Sequence, residues 1–220
     1  MSTLNEAFRL IGKQDFIFLD IGCHIGFVSS YVMKARTDAQ VMAIDPDPRN
    51  IEKFKRINRN EMTSSNLEVK NIAIWEYDGF IPFGFENSNT ANNRFNSESN
   101  VNIQCKKLES LLVSVEKRNI LIKIDVQGYE LEVLKGALGL LAKNNVLIIL
   151  EFDESALQSR GSNSMDLLRN IHSIGYSAWD ATNKKQYENT ELADLLQRRA
   201  CVDLLFLPGD TKDLRKSKKI

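Results

Sequence analysis

Two apolar segments that each run into an aspartate and then a glycine turn constrain this chain more than any other feature. The first is FIFLD at residues 16–20, followed by IGCHIG at 21–26; the second is LIKID at 121–125, followed by VQGYE and the amphipathic run LEVLKGA. An apolar run that meets a glycine turn and then a 3.6-residue periodicity reads as a buried strand passing into a helix. In open α/β sheets, ligands bind outside the carboxyl ends of parallel strands. The two segments are therefore expected to supply two halves of one site, which points to a nucleotide-type cofactor with a reaction beside it.

The chain of 220 residues is long enough for one sizeable core, and the expectation is a single domain over residues 1–220. Residues 1–15 read as an N-terminal helical segment, with Leu4, Ala7, Phe8, Leu10 and Ile11 on one face and Gly12 as its stop. Lys plus Arg and Asp plus Glu number 29 each, so no overall field favours nucleic acid or an anionic membrane. Lys212, Arg215, Lys216, Lys218 and Lys219 make residues 208–220 basic, which a frayed, solvated tail explains. Cys23, Cys105 and Cys201 are too few and too scattered for a disulfide framework or a zinc ribbon, and a reducing cytoplasmic setting is expected. No apolar stretch is long enough to span a bilayer.

Strand and helix patterns alternate along the chain. Residues 41–45 read as a second strand, after which Asp47 and Pro48 supply an N-cap and a first-turn proline for a helix with the stripe Ile51, Phe54 and Ile57. Residues 67–74 read as a third strand, 120–125 as a fourth and 146–152 as one buried on both faces. Residues 176–179 and 202–207 complete the set. Between the third and fourth, residues 81–85 and 101–105 look like short strands joined by a loop rich in asparagine from Asn87 to Asn100. That loop and the polar stretch 155–164 are candidates for a rim that recognises a polyhydroxylated substrate, a solvated tip being the alternative. Such alternation argues for a parallel sheet built from right-handed crossovers.

Gly22 lets the backbone turn sharply beside a ligand, although a tight turn without a ligand is the bland alternative. The glycines at 22 and 26 lack the spacing of dinucleotide dehydrogenases. Asp45 lies 25 residues after Asp20 at a strand end, where a carboxylate can accept hydrogen bonds from both hydroxyls of a ribose. Asp125 ends the fourth strand. Glu130 falls in the first turn of the next helix, where dipole stabilisation competes with a chemical role, and Glu151 ends an otherwise apolar strand. Three carboxylates leave a divalent ion open, but no compact ligand spacing requires one. His172 reads as a boundary residue, and Trp75 and Trp179 as core.

In this order the segments at 20–26, 43–48, 71–74, 108–112, 122–130 and 134–137 resemble class I S-adenosylmethionine-dependent methyltransferases, and more narrowly the FkbM family. The departures are His24 where Asn is frequent, Asp45 where Glu is frequent and Gln127 where Glu is frequent. The resemblance implies a three-layer, Rossmann-like doubly wound α/β fold with a mostly parallel sheet of seven strands, the last antiparallel. It further implies that Asp20, Gly22 and Gly26 surround the methionine part of S-adenosylmethionine, with His24 in the same loop. Asp45 would hold the ribose and Asn71 the adenine edge. Asp125 then leads as the group that orients an acceptor hydroxyl and takes its proton, with Glu151 and Glu130 as further catalytic candidates. The resemblance implies a hydroxyl of a small molecule or carbohydrate as the acceptor, and the turn after the fourth strand, which lacks the Pro-Pro-aromatic pattern of nucleic acid amine methylases, argues against nucleic acid as the substrate. A cofactor-binding module without catalysis is the rival reading.

Overall fold

The strand Phe16–Ile21 (β1) is buried at all six positions, which requires cover on both sheet faces. Side chains alternate along a strand. Ile17, Leu19 and Ile21 accordingly join one apolar layer, while Phe16 and Phe18 join the other. The computed structural model describes residues 2–85, 94–95, 101–113, 115–199 and 201–209.

Helix α1 (Ser2–Ile11) precedes β1, and α2 (Phe27–Ala35), β2 (Ala39–Ile44), α3 (Pro48–Ile57) and β3 (Leu67–Lys70) follow it. The chain then forms β4 (Ala73–Ile74), β5 (Gly79–Gly84), β6 (Arg94–Phe95) and β7 (Asn102–Lys106). Next come α4 (Leu108–Leu111), β8 (Asn119–Ile124), α5 (Glu130–Lys143), β9 (Asn145–Asp153), α6 (Glu154–Gln158) and α7 (Ser164–Ser173). The last elements are β10 (Tyr176–Asp180), β11 (Lys185–Gln186), α8 (Asn189–Arg198) and β12 (Cys201–Pro208).

The main sheet has eight strands in the order β11-β10-β12-β9-β8-β1-β2-β3. Its core from β9 to β3 is parallel, and β12 runs antiparallel between β9 and β10. The seven expected strands are present with the last antiparallel; the two-residue β11, paired with β10, adds the eighth. Helices α5, α7 and α8 bury Val133, Leu134, Leu168, Ile171 and Leu192 on one face, while α1 and α2 bury Leu4, Ala7, Ile11 and Val32 on the other. Three layers result. Asp47 caps α3 by accepting from the Arg49 amide, with Pro48 in the first turn. In that helix Ile51 and Phe54 are buried, but Ile57 is 49% exposed because the helix ends there.

One expected strand is two. Residues 67–74 separate into β3, which pairs with β2, and β4, which pairs with β7 in a second sheet of order β4-β7-β5-β6. The break falls at Asn71, whose side-chain amide donates to the carbonyls of Asp45 and Pro46 and so bends the chain off the main sheet. Most of the asparagine-rich loop and the basic tail lie outside the described residues. Among the described residues no helix is long and apolar enough to cross a membrane.

Candidate active site

Register sets the site. Ile21 of β1 pairs with Ile44 of β2 and with Ile124 of β8, so these three strands end level and Gly22, Asp45 and Asp125 emerge side by side. The amides of Gly22 and Cys23 both donate to the Ile44 carbonyl, at 2.9 and 3.0 Å. Gly22 has φ +81°, and a β-carbon on it would meet the Asp125 carbonyl oxygen at 1.8 Å. Only glycine fits where two strand ends approach so closely. Gly26, with φ +85°, serves packing: a β-carbon there would strike the Phe54 ring at 2.2 Å, so its absence lets α2 and α3 close together.

A cleft opens over these strand ends. Gly22 lies in the middle of its floor, with His24, Asp45 and Asn50 toward β2 and Asp125 and Gln127 toward β8. Ile72, Trp75, Phe83 and Tyr129 give it an apolar wall. Three of those residues, Ile72, Trp75 and Phe83, come from the second sheet or the chain flanking it, so the departure of the chain from the main sheet at Asn71 is what builds this wall. Trp75 is half-buried on the cleft, with its ring 5.5 Å from that of Tyr129, where the sequence placed it in the core. The Arg160 guanidinium, in the polar stretch after α6, lies 4.6 Å from the Tyr129 ring centre, and no residue of that stretch lines the cleft.

Asp45 is buried and well connected. Its Oδ2 accepts from the His24 amide at 2.9 Å, and its Oδ1 accepts from the Asp47 amide at 2.9 Å and from Asn50 Nδ2 at 3.1 Å. Burial pushes its carboxyl above the usual range, against the pull of these hydrogen bonds. A carboxylate offers about four lone-pair sites, so one on Oδ2 is left for a ligand. Nearby Asn50 Oδ1 is buried with no partner among the described residues. An orphaned acceptor on a cleft wall is a place for a ligand donor. His24 reaches its position in a left-handed turn, φ +51°. Asn71 lies outside the cleft wall, committed to backbone carbonyls.

Asp20 differs from Asp125 in a way that their shared local sequence hides. It pairs with Lys123 in register, one residue before β1 ends, and is 2% exposed. Ser29 of α2 donates to its Oδ2 at 2.5 Å, and burial raises its carboxyl to about 6. It sits beneath the turn and does not line the cleft.

On the opposite side, Lys123 Nζ meets Asp125 Oδ2 at 2.8 Å and Gln127 Nε2 meets Asp125 Oδ1 at 3.1 Å. Burial works to raise the Asp125 carboxyl, but the Lys123 charge and the hydrogen bonds from Glu151, Lys123 and Gln127 outweigh it and hold it low. Glu151 goes the other way. Burial and the neighbouring Asp125 charge raise it to about 8, so at neutral pH Glu151 keeps a proton and Asp125 is ionised. Two carboxyls pushed apart in this fashion divide the roles of proton carrier and anion between them.

Glu130 is 2% exposed and does not line the cleft; its Oε1 accepts from the amides of Val126 and Gly128, both at 3.2 Å. It clasps the turn after β8. Burial lifts its carboxyl to about 7, and its Oε2 has no partner among the described residues. No group of three or more His, Cys, Asp or Glu side chains among the described residues is arranged to hold a metal ion.

The domain profile named methyltransferase FkbM domain matches residues 20–178. The hexuronic acid methyltransferase AglP of Haloferax volcanii is 29% identical over 153 residues, covering 66% of this chain and 60% of that protein. The 2-O-methyltransferase NoeI of Sinorhizobium fredii is 26% identical over 172 residues, covering 69% of each. This chain thus spans less than two thirds of AglP. Among solved structures, an S-adenosylmethionine-dependent methyltransferase from Listeria monocytogenes superimposes with a TM-score of 0.51 at 11% identity, covering 94% of this chain and 98% of that one. The plantazolicin methyltransferase BamL gives 0.50 at 14% identity, covering 95% and 83%. The structural likenesses establish the shared fold, and the profile runs across most of the 220 residues: the chain belongs to the FkbM family of S-adenosylmethionine-dependent methyltransferases.

Proposed function

We propose that this protein transfers the methyl group of S-adenosylmethionine to a hydroxyl of a sugar or another small molecule. The observation that carries the reading is Asp125: an ionised carboxylate on the cleft wall, immediately beside the Gly22 turn. The residues present fit the cofactor. Asp45 and Asn50 offer acceptors to a ribose, Ile72, Trp75 and Phe83 offer an apolar face to a base, and the Gly22 turn leaves room for the methionine part. When bound, S-adenosylmethionine supplies an electrophilic methyl group on a sulfonium.

Transfer to oxygen needs in-line approach and removal of one proton. Asp125 orients the acceptor hydroxyl and takes its proton as the oxygen bonds to carbon, while the electrons of the broken carbon–sulfur bond remain on sulfur. Glu151 acts one layer back through Asp125, and Glu130 holds the turn that carries Gln127. The printed names of AglP and NoeI, hexuronic acid methyltransferase and 2-O-methyltransferase, support a carbohydrate acceptor.

The test is to incubate purified protein with methyl-labelled S-adenosylmethionine and glycosides of neutral hexoses, 6-deoxyhexoses and hexuronic acids, then locate the label by mass spectrometry and NMR. A methyl ether on a sugar hydroxyl is expected. Label on a carboxylate or a nitrogen would overturn hydroxyl transfer, and cofactor binding with no transfer to any acceptor would favour a module without catalysis.

A further inference from the structure

We propose that Gln127 is a positioning residue that clamps Asp125 and Glu151 into a single proton-sharing pair, and thereby sets the pH at which that pair can take a proton from the methyl acceptor. The proposal rests on the reading of Asp125 as the base. Three observations carry it. First, Gln127 Nε2 is bonded to both carboxyls, 3.1 Å from Asp125 Oδ1 and 3.2 Å from Glu151 Oε2. One amide nitrogen has two hydrogens, one for each, and brings no charge. Second, Ile124 of β8 pairs with Leu150 of β9, so the residues after them, Asp125 and Glu151, are neighbours across the strands and an unbridged pair of like charges would repel.

Third, the backbone at Gln127 is held in the left-handed region, φ +56°, where residues with a β-carbon are uncommon. The Glu130 clasp on the amides at 126 and 128 brackets it, and Gly128 abuts the Ala156 carbonyl, where a β-carbon would come within 2.6 Å. A strained residue pinned from both sides, with its side chain bridging two reacting-site carboxyls, is the pattern expected of built-in preorganisation.

The groups facing the pair are Lys123 on β8, Asp20 on β1, Glu130 on α5, and Asp203 with Cys201 on β12; Cys201 Sγ lies 3.5 Å from Glu151 Oε1. With Glu151 raised to about 8 and Asp125 held low, the pair carries one proton at neutral pH and is a poor acceptor of a second. Above that value both are ionised, and the pair accepts the hydroxyl proton as a base matched to mildly alkaline pH.

Carbon-13 NMR of the full chain, following the Glu151 carboxyl from pH 5 to 10 in the wild type, Gln127→Glu and Gln127→Ala, tests this without any acceptor. Gln127→Glu keeps the shape but adds a third carboxyl, so the Glu151 midpoint should rise by about one pH unit or more. The ascending limb of kcat against pH, on whichever glycoside the screen identifies, should move with it. In Gln127→Ala, kcat should fall by as much as ~10²-fold through misplacement, with affinity for S-adenosylmethionine unchanged in calorimetry. Glu151 midpoints in both variants that match the wild type would overturn the clamp. A cofactor affinity that falls as far as kcat would reduce Gln127 to a structural role. A shifted midpoint with an unmoved kcat limb would instead overturn Asp125 as the base, and with it the catalytic consequence of the clamp.

Discussion

The backbone carbonyl oxygen of Asp125 stands 1.8 Å from where a β-carbon on Gly22 would be. The two turns beside the cleft are therefore packed against each other at Gly22, where the lack of a side chain permits the contact. Gly22→Ala cannot be absorbed by a side-chain rotation, because the obstacle is backbone and φ is +81°. We expect a loss of at least about 2 kcal/mol in unfolding free energy, together with loss of cofactor binding as the end of β8 is pushed away. Denaturant titration and calorimetry read the two effects, and a variant with normal affinity would show that the contact is not needed for the site.

Asp45→Ala should weaken S-adenosylmethionine binding by roughly 1.5–3 kcal/mol, the range for hydrogen bonds to a charged group. It should also destabilise the protein, because the carboxyl accepts from His24, Asp47 and Asn50 and thus ties the turn after β1 to the start of α3. Asp45→Asn keeps the shape and part of the acceptor capacity and should be milder on both counts. Equal cofactor affinity in wild type and Asp45→Ala, by calorimetry, would remove the residue from the cofactor site.

Asp125→Asn removes the anion while keeping the outline of the side chain. Turnover should fall by ~10²-fold or more with cofactor affinity little altered. The same substitution deprives the nearly buried Lys123 of its 2.8 Å partner, so its ammonium should become easier to deprotonate. Near-normal turnover on an identified acceptor would move proton removal away from Asp125.

Much of the fold is legible in the sequence, and where the sequence misleads the cause is physical. The strand-turn-helix units around Asp20 and Asp125 look alike in sequence, yet hydrogen-bond register makes Asp125 level with Gly22 and leaves Asp20 level with Lys123. A run of apolar residues does not reveal where its pairing stops, and Ile21 carries β1 past Asp20. No glycine or proline marks the break at Asn71, so the sequence does not show that the second sheet, while packing Trp75 against Ala73, Ile81 and Cys105, also turns it onto the cleft. Gln127 carried no chemical signal in isolation, since its two partners lie on different strands and only the pairing of β8 with β9 brings Glu151 within reach.

Glu130 gives the stability of the protein a pH dependence whose sign can be worked out. Burial raises its carboxyl in the folded state to about 7 from an ordinary value of 4.5. Between those values the folded chain holds a proton that the unfolded chain has lost, so stability falls as pH rises through that window. Below the lower value both states are protonated and the residue is neutral in effect. Glu130→Gln cannot ionise, yet retains an oxygen to accept from the amides of Val126 and Gly128. The difference in unfolding free energy between Glu130→Gln and wild type should therefore move in favour of the variant by up to about 3 kcal/mol between pH 4.5 and pH 8. Denaturant titrations of both proteins at five pH values measure it. A difference that stays flat across the window would mean that Glu130 is ionised in the folded protein, and that the turn carrying Gln127 is held by a carboxylate rather than by a neutral acid.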